Sequence, residues 1–207
     1  MARLFLVRHG ETDPNRRGVF VGHTDAPLNE RGLRQAQCLG QRLASEQFAR
    51  VLCSDLKRAR ATADAITSGR SLPIEHSPVL REIHFGKLEG LSITGISEKY
   101  PSFDWWADGD LDKPAPGGET MRQVVGRVNS VLGTMGSHKG DDQVLVVSHG
   151  AFLRVLICIA LGMEPKLWRR LRMDVAAVSI LETSHRHHGG TALALLNDTH
   201  HLNSAED

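Results

Sequence analysis

The chain has 207 residues, of which 41% are hydrophobic and 24% charged, and its formal net charge is +1 at pH 7. This length and composition can bury the core of one compact domain. The scattered Lys and Arg residues give no electrostatic support for binding nucleic acid or an acidic membrane, and no apolar run is long enough for a membrane span.

The three cysteines, Cys38, Cys53 and Cys158, lie in apolar or helical stretches. Their odd number argues against a disulfide framework. Residues 1–3 lead directly into a short apolar strand without the pattern of a signal peptide. We therefore expect a cytoplasmic protein.

Apolar runs alternate with helical patterns along the chain, which indicates a layered α/β fold. Strands are predicted near residues 3–8, 50–53, 73–76, 143–147, 175–183 and 191–196, and helices at 29–46, 55–68, 121–135 and 150–161. In the third helix, apolar residues form one stripe, and Thr120 with Gln123 predicts a capping box at its start. The fourth helix is apolar enough to be buried behind the strand that precedes it.

The most informative segment is residues 6–12, which read Leu-Val-Arg-His-Gly-Glu-Thr. A strand that ends in Arg8-His9 places a charged guanidinium fork beside an imidazole that can act as a nucleophile. Gly10 allows the backbone to turn sharply there. The segment predicts a phosphate site in which Arg8 binds phosphoryl oxygens and His9 attacks phosphorus.

Three later segments supply further groups for phosphoryl transfer. Arg58 lies near the start of a helix that we expect to be capped by Ser54 or Asp55, where backbone amides favour anions. Glu82 offers a carboxylate in a turn, and a second apolar strand ends at His149. In open α/β sheets ligands bind at the carboxyl ends of strands, where both histidines fall.

These segments together resemble the histidine phosphatase superfamily, which includes cofactor-dependent phosphoglycerate mutases and small phosphomonoesterases. The resemblance spans residues 3 to about 183. It places the Arg-His-Gly signature on residues 8–10, the second arginine on Arg58, the acid/base glutamate on Glu82 and the second histidine on His149. It implies one domain over residues 1–207 with a phosphoglycerate mutase-like, three-layer α/β/α fold and a mostly parallel central sheet.

The resemblance also implies a two-step hydrolysis without metal or cofactor. His9, kept neutral by Arg8, Arg58 and the neighbouring second histidine, would form a phosphohistidine. The second histidine, in its charged form, would stabilise the transition state, and Glu82 would act first as general acid and then as base. The predicted catalytic residues are Arg8, His9, Arg58, Glu82 and His149, and the predicted substrate-binding residues are Arg8, Asn15, Gly22, Arg58, Glu82, His149 and Gly150.

Two of these residues lie in a segment that departs from the family. Asp13 and Pro14 stand where the family often has a tryptophan. Asn15 is still expected to reach the phosphate, and Gly22 to lend a backbone amide.

Other phosphatase chemistries fit the residues less well. Cys53 and Arg58 are separated by four residues instead of the five of the cysteine phosphatase loop, and Cys53 ends an apolar run. The only histidine cluster, at residues 185–188, lies between two predicted strands and is read as a solvated hairpin loop, so no metal site is predicted. A Walker loop is absent.

Substrate choice is assigned to residues 13–27 and to an aromatic and acidic insert at residues 84–118. The insert contains half of the chain's ten aromatic residues. It predicts either a lid or pocket wall, or simple packing onto the domain. Its acids, Asp104, Asp108, Asp110 and Asp112 with the adjacent Glu119, exceed Lys113, and this negative excess argues against a bisphosphate cofactor.

The favoured function is a phosphomonoesterase for a small metabolite, and the partner is therefore a small phosphomonoester. Residues 82–90 and 197–202 look like those of α-ribazole-phosphate phosphatases and broad-specificity phosphatases, which the sequence does not separate. The first alternative is a cofactor-dependent phosphoglycerate mutase, from which Ile83-His84-Phe85-Gly86 departs. A second alternative is a catalytically silent module that binds phospholigands. Monomer and homodimer both stay open.

Overall fold

The computed structural model describes residues 2–103, 106, 109–135, 142–183 and 190–205. These residues form one mixed sheet with the strands β1 (Ala2–Arg8), β2 (Phe48–Ser54), β3 (Ile74–Ser77), β4 (Gln143–Ser148), β5 (Val178–Thr183) and β6 (Thr191–Asp198). The strand order is β3-β2-β4-β1-β5-β6. The first four strands in this order are parallel, whereas β5 is antiparallel to both β1 and β6.

Helices cover both faces of the sheet. The α-helices are α1 (Asp13–Arg16), α2 (Glu30–Arg42), α3 (Lys57–Thr67), α4 (Ile93–Lys99), α5 (Met121–Met135) and α6 (Gly150–Ala160). Short 3-10 helices occur at Pro78–Leu80, Gly86–Leu88, Pro165–Arg170 and His200–Ala205.

The central strands are buried on both sides, as continuous apolar runs in parallel sheets require. On β4, Val144 and Val146 belong to one hydrophobic cluster together with residues of α5 and α6. Leu145 and Val147 belong to a second cluster, which contains residues of α2 and α3. This arrangement is the predicted three-layer α/β/α fold with a mostly parallel central sheet.

Some predicted boundaries were wrong for local reasons. α3 begins at Lys57 with Leu56 as N-cap and no side-chain cap, because Asp55 instead forms a bidentate pair with Arg81 at 2.8 and 2.6 Å. β5 begins at Val178 instead of residue 175. The preceding Ala176 has a φ of 56°, a left-handed conformation that cannot continue a strand.

Other local predictions were confirmed. At the start of α5, the Gln123 amide donates to Thr120 Oγ1 at 3.1 Å, and the Thr120 amide donates to Gln123 Oε1 at 2.8 Å. α6 buries most of its residues and begins directly after His149. Its amino-terminal end therefore lies at the carboxyl end of β4. Among the described residues, no helix has the length and apolar character needed to cross a membrane.

Candidate active site

The two predicted histidines follow neighbouring strands. β1 and β4 are parallel with Arg8 paired to Ser148, and the His9 amide extends this pairing by donating to the Ser148 carbonyl at 3.0 Å. The imidazole centroids of His9 and His149 are consequently 5.1 Å apart. Strand register alone thus brings together two residues that are 140 positions apart in the sequence.

The His9 ring is held in one tautomer. Its Nδ1 lies 2.7 Å from the Gly10 carbonyl oxygen, which can only accept, so Nδ1 carries the hydrogen and Nε2 keeps its lone pair. Arg58 Nε donates to this Nε2 at 3.3 Å. Burial, and then the charges of Arg58 and Arg8, hold the pKa of His9 well below its ordinary value of 6.5. A buried, neutral imidazole with a defined lone pair results.

His149 is neutral in this arrangement as well. Arg58 Nε donates to its Nδ1 at 3.2 Å, so Nε2 carries the hydrogen and donates to Ser54 Oγ at 2.8 Å. Burial and then Arg58 and His9 hold the pKa of His149 well below its ordinary value. The charged His149 expected from sequence therefore does not describe the ligand-free site.

Arg58 is fixed by the loop that precedes α2. Its Nη1 and Nη2 donate to the carbonyls of Thr24 and Gly22, each at 2.8 Å, and the residue is 1% exposed. Burial lowers the pKa of Arg58 to about 10, so the guanidinium stays charged at neutral pH. The structure thus shows Gly22 in contact with Arg58 through its carbonyl, while a role for the Gly22 amide stays a prediction.

Arg8 reaches across from β1 to the start of α6. Its Nη1 donates to the Met173 carbonyl at 2.6 Å, but its buried Nε has no hydrogen-bond partner among the described residues. A buried N–H without a partner is unfavourable by about 1–3 kcal/mol. Such a donor on a cationic group is suited to an anionic ligand.

Glu82 lies against the amino-terminal end of α6. Its Oε1 accepts from the amides of Ile83 and Phe152, both at 2.9 Å, and its Oε2 accepts from the Ala151 amide at 3.0 Å. The helix amino terminus favours a negative charge at this position. Oε1 has both lone pairs engaged, whereas Oε2 has one left, so Oε2 is the oxygen that can carry an exchangeable proton.

These groups meet in a cleft of about 180 Å³. The predicted residues that line it are Arg8, His9, Asn15, Arg58, Glu82 and Gly150. His149 contacts Arg58 without lining the cleft, and Gly22 also lies outside the lining. The Asn15 side chain accepts hydrogen bonds from the Thr12 amide and hydroxyl at 3.2 and 2.8 Å, which fixes it in the cap of α1.

Comparison with known proteins identifies the family. The sequence profile of the histidine phosphatase superfamily (branch 1) matches residues 4–199. The chain belongs to this superfamily. The resemblance noted from the sequence is thereby confirmed.

The relatives of this chain within the superfamily are named for different activities. The protein named "Probable phosphoglycerate mutase GpmB" from Serratia proteamaculans is 34% identical over 183 residues, which cover 86% of this chain and 84% of the relative. Phosphoserine phosphatase 1 from Hydrogenobacter thermophilus is 32% identical over 203 residues, which cover 98% and 95%. The crystal structure of the alpha-ribazole phosphatase from Shigella flexneri superposes with a TM-score of 0.82 at 31% identity, covering 95% of this chain and 96% of that one.

The histidine phosphatase cleft also contains residues that sequence reasoning missed. Arg154, Trp168 and Phe20 line it, and the Arg154 guanidinium stacks 4.5 Å from the centroid of the Trp168 ring. For Arg154 the sequence did contain a signal, because it is the single charged residue of the apolar helix α6.

The aromatic insert has two separate roles. Phe85 lines the cleft. Trp106 is fully buried in the core, its Nε1 donates to the Lys113 carbonyl at 2.5 Å, and Phe103 packs edge-on against its ring. For Trp106 and Phe103 the packing interpretation is therefore correct, and Trp105 lies outside the described residues.

The negative excess predicted for the insert is only partly present. Asp112 pairs with Arg122 at 2.5 Å, and Glu119 pairs with Arg127 at 2.8 Å. Both arginines come from α5, outside the insert, which is why counting charges within residues 84–118 overlooked them. Asp104 and Asp108 lie outside the described residues. The argument against a bisphosphate cofactor is weakened accordingly.

The thiol mechanism finds no support in the structure. Burial raises the pKa of the Cys53 thiol well above its ordinary value, and its Sγ donates to the Ser54 carbonyl at 3.1 Å. A buried protonated thiol is a poor nucleophile. The histidine cluster at residues 185–188 lies outside the described residues.

Proposed function

We propose that this histidine phosphatase superfamily member is a metal-independent phosphomonoesterase that hydrolyses a small phosphorylated metabolite through a phosphohistidine on His9. One observation carries the proposal: the Gly10 carbonyl fixes the hydrogen on Nδ1, so the lone pair of Nε2 belongs to a buried, neutral ring beside Arg58. A neutral nucleophile next to fixed cations is suited to attack on a phosphoryl group.

In the first step, His9 Nε2 attacks phosphorus in line with the ester oxygen, and the bond from phosphorus to that oxygen breaks. Arg8 Nε and the Arg58 guanidinium hold the equatorial oxygens as their charge redistributes. Glu82, protonated on Oε2, gives its proton to the leaving oxygen, so an alcohol departs. Arg58 Nε, which contacts His9 Nε2 in the free enzyme, turns to the phosphoryl group when the ester binds.

His149 completes the phosphoryl site. A phosphomonoester carries about −1.5 to −2 charges near pH 7, which favours protonation of a nearby imidazole. The Nε2 hydrogen of His149 is held by Ser54, so a second proton would sit on Nδ1, which faces Arg58. Protonated there, His149 stabilises the transition state as an additional donor.

In the second step, water attacks the phosphorus of the phosphohistidine. The ionised Glu82 takes a proton from this water, the bond between phosphorus and Nε2 breaks, and inorganic phosphate leaves. His9 returns to its neutral form and Glu82 to its protonated form. The same carboxylate serves as acid and base because α6 amides hold both of its oxygens in place while Oε2 keeps one lone pair available.

The test is to trap the phosphoenzyme. The protein is mixed with p-nitrophenyl phosphate in excess EDTA and denatured in alkali, where phosphohistidine survives, and the modified peptide is located by mass spectrometry. We expect a phosphoryl group on His9 and loss of turnover in His9→Ala. Phosphate on another residue, full activity of His9→Ala, or inhibition by EDTA would contradict the proposal.

A cofactor-dependent phosphoglycerate mutase is a second candidate. The similarity to a protein with that name favours it, and the arginine pairing of Asp112 and Glu119 weakens the electrostatic objection. A mutase would convert 3-phosphoglycerate to 2-phosphoglycerate faster than it releases phosphate. Among phosphatase substrates, α-ribazole 5′-phosphate and a broad range of esters both fit the proposed chemistry.

A further inference from the structure

A third guanidinium lies in the cleft beyond the two assigned to the phosphoryl group. Arg154 Nε donates to the Gly150 carbonyl at 2.9 Å, and Nη1 lies 3.5 Å from the Leu171 carbonyl. Its partners are neutral carbonyls and the Trp168 ring, and no described carboxylate forms an ion pair with it. Arg154 is thus held in place without its charge being neutralised by a direct contact.

The position of Arg154 is fixed by two elements. Its own helix α6 supplies the Gly150 carbonyl, and the 3-10 helix Pro165–Arg170 supplies the Trp168 ring. Burial lowers the pKa of Arg154 to about 10, which leaves the group charged at neutral pH. A planar guanidinium fixed in this way matches the bidentate geometry of a carboxylate.

When Glu82 is in its acid form, the charges of the cleft leave one positive charge over. The charged residues that line it are Arg8, Arg58 and Arg154 against Glu82. A phosphomonoester brings about −2 charges at most, which Arg8 and Arg58 can match. When Glu82 is protonated to serve as acid, the positive charge of Arg154 has no counterpart among the lining residues.

A carboxylate matches this remaining charge better than a second phosphate does. A carboxylate brings one negative charge, whereas a second phosphoryl group would bring about −1.5 to −2. Arg154 lines the same cleft as Arg8 and Arg58, so the carboxylate and the phosphoester belong to one small substrate.

We propose that Arg154 is a specificity-determining residue that binds the carboxylate of a small phosphorylated carboxylic acid. The inference rests on the proposed phosphatase function, whose substrate class it narrows. Trp168 supports the guanidinium plane, and the phosphoryl group of the same substrate lies at Arg8, Arg58 and His9.

The experiment compares substrates that differ by one carboxylate. Phosphoserine is paired with phosphoethanolamine, and 3-phosphoglycerate with glycerol 3-phosphate, while p-nitrophenyl phosphate reports the phosphoryl site alone. The variants are Arg154→Gln, Arg154→Lys and, as a control, Arg170→Gln, which removes an exposed arginine outside the cleft lining. Thermal unfolding is measured for each variant.

We expect the unsubstituted protein to favour the acid of each pair by about 10-fold or more in kcat/KM. Arg154→Gln should abolish this ratio while p-nitrophenyl phosphate turnover changes by less than about 3-fold, Arg154→Lys should retain part of it, and Arg170→Gln all of it. Equal rates within each pair, or an equal loss on every substrate in Arg154→Gln, would overturn the proposal.

Calorimetric titration of the same pairs into the His9→Gln variant separates the two proposals. If no ester is hydrolysed by the unsubstituted protein, the proposed function fails. A carboxylate preference in binding that disappears in the His9→Gln, Arg154→Gln double variant would still support the role of Arg154. Equal affinities within each pair would overturn it.

Discussion

The guanidinium of Arg8 and the backbone of Gly150 are packed without room for a side chain between them. A Cβ on Gly150 would lie 3.1 Å from Arg8 Cζ and Nε and 3.2 Å from Nη1. The Met173 carbonyl holds the other side of the guanidinium at 2.6 Å. A methyl group at residue 150 must therefore displace Arg8 by a few tenths of an ångström.

Gly150→Ala is expected to weaken phosphate binding without unfolding the protein. The displaced Arg8 Nε would meet a phosphoryl oxygen at poorer geometry, so the inhibition constant of inorganic phosphate should rise about 10-fold, or about 1.4 kcal/mol. The control is Gly126→Ala in α5, where a Cβ would meet nothing within 4 Å. There we expect unchanged inhibition and a gain of about 0.4–1 kcal/mol in stability. Unchanged inhibition in Gly150→Ala would show that Arg8 does not bind the phosphoryl group.

Glu82→Gln should separate substrates by their leaving groups. Loss of the proposed acid should lower kcat on an alkyl phosphate by about 10²- to 10⁴-fold, and that on p-nitrophenyl phosphate much less, because the phenolate leaves without a proton. The side-chain amide of Gln at residue 82 would also place its NH₂ group against a backbone N–H that donates to the Glu82 carboxylate. Unfolding should therefore show a cost of about 1–3 kcal/mol. Equal losses on both esters would contradict the assignment of Glu82 as acid.

At the residue scale, the sequence predicted which side chains meet but not how their atoms are engaged. The Arg-His-Gly segment and the second strand-end histidine were sufficient to predict the pairing of His9 with His149. The neutral state of His149 depends on its burial and on Arg58, and its tautomer depends on Ser54; both residues approach it from other elements. Such contacts are determined by tertiary packing and have no local pattern.

At the scale of elements, one carboxylate organises the loop that holds Arg58. Glu89 Oε1 accepts from the His23 amide at 3.0 Å, and Oε2 accepts from the Thr24 amide and hydroxyl at 2.9 and 2.6 Å. Burial alone would raise the pKa of Glu89, but these hydrogen bonds lower it below the ordinary value. The carbonyls of Gly22 and Thr24 then receive the Arg58 guanidinium. Through this loop Glu89 positions Arg58, to which we assign contact with the phosphoryl group.

Glu89→Gln should raise the KM of a phosphoester several-fold while the unfolding temperature changes little. An amide can accept on only one of its two terminal atoms, so at least one loop N–H loses its acceptor. The control is Glu75→Gln, which removes the exposed carboxylate of β3 that pairs with Arg50 of β2. A KM that is unchanged in Glu89→Gln would show that Arg58 is positioned by its helix alone.

The elements themselves were predictable where one periodicity dominates. The strands that carry the histidines and the helices α5 and α6 were found because continuous apolar runs and a single apolar stripe are unambiguous. The start of β5 was missed, since the left-handed Ala176 has no glycine to mark it. The capping of α3 was missed because Asp55 is taken by Arg81 from a distant turn.

At the scale of the whole molecule, the two histidines of the proposed catalytic centre should make the folded state less stable as the pH decreases. His9 and His149 are both buried and neutral, with pKa values held well below 6.5, whereas in the unfolded chain they take the ordinary value. Below about pH 6.5 the unfolded state therefore binds more protons than the folded state. Above that pH the two histidines are neutral in both states and do not affect the free energy of unfolding. As the pH falls below it, the free energy of unfolding decreases.

Each of the two histidines should lower the free energy of unfolding by about 1.4 kcal/mol between pH 7.5 and 5.5, from the proton that only the unfolded chain binds. Urea unfolding across this range measures the total, to which carboxylates also contribute. In the His9→Gln variant the decrease in the free energy of unfolding should be smaller by about 1.4 kcal/mol. The control is the His76→Gln variant, which replaces an exposed histidine. An identical fall in His9→Gln and the unsubstituted protein would mean that His9 binds its proton in the folded state. The neutral nucleophile on which the proposed chemistry depends would then be absent at low pH.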